Sequence, residues 1–177
     1  MSTVPALSIQ FQLFQDAGLN TGGVWCVVEI PKKSQTAREA LVDHIREAEV
    51  YNNKEKYVAY FGQAYQFELY ETKNLELIPL EDWEAAFEER AKHWSEYELV
   101  AKAENQLEFD QAVFESQYHK FSHMLRAYLE QHTLQKVYKI NADTFNTRNT
   151  AWGDQFAEDF VFELASSVLI VHFGWSS

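Results

Sequence analysis

The feature that most constrains the fold is a change of period along the chain. Up to about residue 80 most runs read as extended, with one short helix reaching about Val50 among them. From Glu81 apolar residues recur at helical spacing, and from about residue 136 extended character returns. Strands and helices segregated in this way leave few βαβ crossovers. An α+β fold with a mainly antiparallel sheet is therefore expected, not a doubly wound parallel sheet.

Residues 7–14 set Leu7, Ile9, Phe11 and Leu13 against Ser8, Gln10 and Gln12, the pattern of a half-buried strand. Residues 24–30 are apolar and rich in valine, so they read as a more central strand. The two should pair antiparallel across the glycine-bearing loop at 16–23. Pro31 closes the second strand. Thr36 with Glu39 three residues on is a capping box, and Ala37, Leu41, Ile45 and Ala48 then mark one face of a helix reaching about Val50. Extended runs follow at residues 57–61, 64–70 and 75–80.

In the helical block, Trp83, Phe87, Ala91, Trp94 and Ala101 share one face. Phe114, Tyr118, Phe121, Leu125 and Tyr128 form the stripe of a second helix over residues 109–132. A hairpin near Asn105 is preferred, because one helix of about 50 residues would run roughly 75 Å. The last third reads as a strand at 136–140, a polar loop at 141–153, and a β-hairpin from residues 160–164 and 168–173. Phe156, Phe160 and Leu164 are also spaced for a helix over 154–164, but the hairpin is preferred. All 177 residues are read as one α+β domain. It has an antiparallel sheet, one short helix, a long two-helix hairpin packed on the sheet, and a C-terminal β-hairpin.

Charge narrows the function. Lysine and arginine number 15 against 27 acids, a formal net charge of −12. Such a chain is a poor candidate for nucleic acid or anionic membrane, both of which select basic surfaces. The single cysteine, Cys26, allows no internal disulfide and reads as a buried, inert thiol of a reducing compartment. The N-terminal residues lack a signal-peptide pattern, and no apolar run approaches the roughly 20 residues of a membrane helix. A cytoplasmic protein is expected.

Few catalytic patterns are present. The six glycines form neither a dinucleotide fingerprint nor a phosphate loop. Glu115, His119 and His123 follow at steps of four and could share a helix face suited to a metal ion, but a polar helix face is the preferred reading. His172, among Val171, Phe173 and Trp175, reads as a core histidine bonded to backbone rather than a buried base. Asp154, Glu158, Asp159 and Glu163 read as a solvated carboxylate group. Trp83, Phe87 and Trp94 read as core rather than as a ligand cage. No catalytic residue, cofactor or metal is expected.

The charge is unevenly placed. Residues 66–115 hold 14 acids and 4 bases, a net charge of −10 within less than a third of the chain. Helix-dipole pairing accounts for some of these acids, and Glu88 is spaced to pair with Lys92. The expected function is therefore that of a small acidic binding protein. Its surface would be Asp82, Glu84, Glu88, Glu89 and Glu96, and its partner a basic protein. Immunity proteins that neutralise nuclease-type toxins share this design: compact, acidic and free of catalytic motifs. Two alternatives stand beside it: a metal-binding protein or enzyme using Glu115, His119 and His123, and a structural subunit whose acidic face gives solubility.

Overall fold

A computed structural model describes residues 2–3, 23–47, 72–104, 111–142, 144 and 156–175. The chain forms an α+β fold. In order, its described elements are β1 (Ser2–Thr3), β2 (Gly23–Pro31), α1 (Ala37–Glu47), a 3-10 turn (Thr72–Asn74), β3 (Leu77–Pro79), α2 (Trp83–Glu104), α3 (Gln111–Glu130), β4 (Leu134–Ile140), β5 (Phe156–Leu164) and β6 (Ser167–Trp175). The strands make one sheet in the order β1-β2-β6-β5-β4-β3, with every neighbouring pair antiparallel. The expected strands at 7–14, 57–61 and 64–70, the turn near Asn105 and most of the loop at 141–153 lie outside the described residues.

The sheet is covered on both faces, and the sequence of its central strands shows why. β5 and β6 are apolar at both parities. Phe160, Phe162, Leu164, Leu169, Val171 and Phe173 face α2 and α3, together with Phe87, Ala91, Trp94, Phe121, Leu125 and Leu129 of those helices. Val161, Val168 and Ile170 face the other way, where Leu41 and Ile45 of α1 cover them. A half-solvated sheet would show alternation instead. Each large side chain buried in this way contributes roughly 1.5–3 kcal/mol.

α1 begins where the capping box places it. The Glu39 amide donates to Thr36 Oγ1 at 3.2 Å, and the Thr36 amide donates to Glu39 Oε2 at 2.8 Å. The Thr36 amide and, at 2.9 Å, the Thr36 hydroxyl donate to that carboxylate and hold it below its ordinary range. Arg38 then ties the helix to the chain ahead of β3, its Nε donating to the Leu75 carbonyl at 2.8 Å. On the opposite layer, Arg126 near the end of α3 forms an ion pair with Glu88 near the start of α2.

Two expectations change in detail. The C-terminal hairpin turns on Ala165 and Ser166 alone, and Ser167 already belongs to β6. β5 is a strand from Phe156 to Leu164, which removes the helical alternative for that segment. β2 finds its described partners in β6 and in Ser2–Thr3, pairing chain segments far apart in sequence.

Candidate functional site

α2 separates two chemistries by angle. Its inner side is aromatic. Trp83 meets Phe162 edge-on at 5.3 Å, Phe87 meets Phe160 at 5.1 Å, and Trp94 stacks on Phe173 at 6.4 Å. Phe87 and Trp94 are buried and Trp83 is half-buried, so all three belong to the core as expected. The period of 3.6 turns the intervening residues outward. Asp82, Glu84, Glu88 and Glu89 are all exposed there, with Glu81 beside them. The side chain of Glu96 lies outside the described residues.

These acids differ in what they hold. Asp82 caps α2, its Oδ1 accepting from the Ala85 amide at 3.3 Å. Glu84 sits in the first turn, where the exposed amides of the helix favour negative charge. Glu88 meets Arg126 of α3, a connection that sequence spacing within α2 did not indicate.

The acids of β5 behave differently, and here the reading of a solvated carboxylate group is overturned. β5 is a strand, and adjacent strand positions point to opposite faces. Glu158 therefore turns toward α2 while Asp159 and Glu163 turn toward the α1 side. Asp154 lies outside the described residues. The Glu158 side chain is 9% exposed. It accepts from Arg90 Nε at 2.7 Å and Trp94 Nε1 at 3.0 Å, and it pairs with Lys139. Burial, the largest single influence, pushes its carboxyl up. The donors Lys139, Arg90 and Trp94 together outweigh burial and hold it below the ordinary range.

Glu163 accepts from Lys32 Nζ at 2.7 Å and from the Tyr138 hydroxyl at 3.0 Å. Burial raises its carboxyl, and these two donors bring it below its ordinary range. The Tyr138 phenol is pushed up to about 12, by burial first and then by its bond to Glu163.

His172 is fully buried, as a core histidine should be, and its Nδ1 lies 2.7 Å from the Asp159 carboxylate Oδ1. The two residues are direct cross-strand partners on β5 and β6. On the other side of β6, the backbone of Cys26 is the cross-strand partner of His172. The expected burial and inertness of the Cys26 thiol concern a side chain outside the described residues.

The metal reading gains no geometry. His119 and His123 are exposed on α3, and the side chain of Glu115 lies outside the described residues. Among the described residues no group of three or more metal-ligating side chains converges. Nor, among them, is any helix long and apolar enough to cross a membrane. The chain matches no protein-family model, no curated protein and no solved structure.

Proposed function

We propose that this chain is a small acidic binding protein that engages a basic protein through the outer face of α2 and neutralises it, in the manner of immunity proteins against nuclease-type toxins. The observation that supports the reading is the division of α2. Its aromatic side chains are used inside, while Asp82, Glu84, Glu88 and Glu89 stand exposed on the outside. Residues 66–115 carry a net charge of −10, and among the described residues Glu81, Asp82, Glu84, Glu88 and Glu89 stand exposed at the start of α2, where they make a local negative field. Such a field raises the rate of encounter with a positively charged partner, and its reach is set by salt, about 10 Å at 0.1 M. An enzyme that grips nucleic acid presents a basic groove, and an acidic surface complements that potential.

The same reading takes residues 1–177 as one domain, the two long helices as one hairpin, the cytoplasm as the compartment, and binding rather than catalysis as the activity. Among the five acids, structure favours Glu84 and Glu89 for the test. Asp82 caps the helix and Glu88 holds Arg126, so changing either confounds binding with folding. The protein encoded next to this chain's gene is the first partner to assay. Its association should be measured by stopped flow across a range of salt, with wild type and with Glu84→Lys/Glu89→Lys. A slower association with a shallower salt dependence supports the acidic interface. An unchanged rate and salt slope in a folded variant would reduce the face to a solubility device.

A further inference from the structure

We draw no further inference here: the strongest candidate, the buried Asp159–His172 pair on the α1 side of the central β5–β6 hairpin, carries nothing because both side chains are enclosed in the core and nothing in the structure shows a ligand or substrate reaching them.

Discussion

The acids of α2 and the acids of β5 are the same residue types placed to opposite effect. On α2, Glu84 and Glu89 are exposed to water, and their charge acts at a distance. On β5, Glu158, Asp159 and Glu163 lie mostly inside, and each is held by a specific donor within 3.0 Å. A carboxylate inside the protein must be partnered, because leaving it unpaired carries the full desolvation penalty. A carboxylate outside has no such requirement and gains little from a partner, typically below 1 kcal/mol. The comparison teaches that net charge is not one property of this chain. Charge on the helix stays in solvent, whereas charge in the sheet is held by donors where layers and strands meet.

The largest effect should come from breaking the innermost pair. Asp159→Ala leaves a buried imidazole without its carboxylate, and His172→Ala leaves a buried carboxylate without its ring. Each should destabilise by about 3–5 kcal/mol in denaturant unfolding. Replacing both with leucine should recover part of that loss, since neither member is then left buried without the other. Single variants that unfold like wild type would show that the pair does not hold the hairpin.

Next in size is the ring of donors around Glu158. Glu158→Gln should cost about 1–3 kcal/mol at neutral pH, because Arg90 and Lys139 lose a charged acceptor yet stay partly solvated. Glu158 and Glu163 both titrate below the ordinary 4.5 in the folded protein. Their contribution is present above the unfolded-state value and is lost as pH falls through the lowered one. Acid unfolding of Glu158→Gln should accordingly lose part of the wild-type drop in stability below pH 4.5. Tyr138 works in the other direction. Its phenol is raised from 10.0 to about 12, so its contribution is intact below pH 10 and is lost as pH climbs toward 12. In Tyr138→Phe the alkaline loss over that window should shrink, as read by thermal melts at stepped pH.

How much of this was legible follows from the range of each signal. The α2 stripe of Trp83, Phe87 and Trp94 and the capping box of Thr36 and Glu39 are local patterns, and both appear as read. The antiparallel hairpin of β5 and β6 was likewise readable from its apolar runs and the short polar break between them. Cross-strand register is not local. Nothing within a few residues of His172 names Asp159, and nothing near Glu158 names Arg90, which is 68 positions away. The carboxylates of β5 read as solvated because no local feature of the sequence marks two of them for burial together. Carrying the alternation of Phe160 and Phe162 back to Glu158 assigns it to the helix-covered face. The acidic face of α2 was legible as charge, but the tie between Glu88 and Arg126 needed the packing of two helices.

Asp82 tests the comparison at its boundary, since it is exposed and still holds a backbone amide. Asp82→Ala should lower stability by about 1 kcal/mol through the lost cap. Asp82→Asn, which keeps a capping oxygen, should recover most of it. If both variants match wild type in denaturant unfolding, the 3.3 Å contact contributes nothing, and Asp82 joins the acids that act only at a distance.

The smallest effect on stability should belong to Glu84 and Glu89, and it is the sharpest test of the outer face. Both are exposed, and surface substitutions usually stay within about 0.5 kcal/mol each. Glu84→Lys carries a further small penalty, because it sets a positive charge in the first turn of α2, where the helix dipole favours a negative one. Glu89 lies beyond that turn and avoids the complication, so it is the cleaner single substitution. The prediction is therefore a dissociation of two readouts. Unfolding of Glu89→Lys should superimpose on wild type, while its association with a basic partner slows and loses part of its salt dependence, because two units of charge have changed in the field that guides encounter. Adding Glu84→Lys should deepen the kinetic effect more than the change in stability. A Glu89→Lys variant that unfolds early would instead place this side chain with Glu158 and Asp159, among the acids that hold the fold, and the contrast between helix and sheet would fail at that residue.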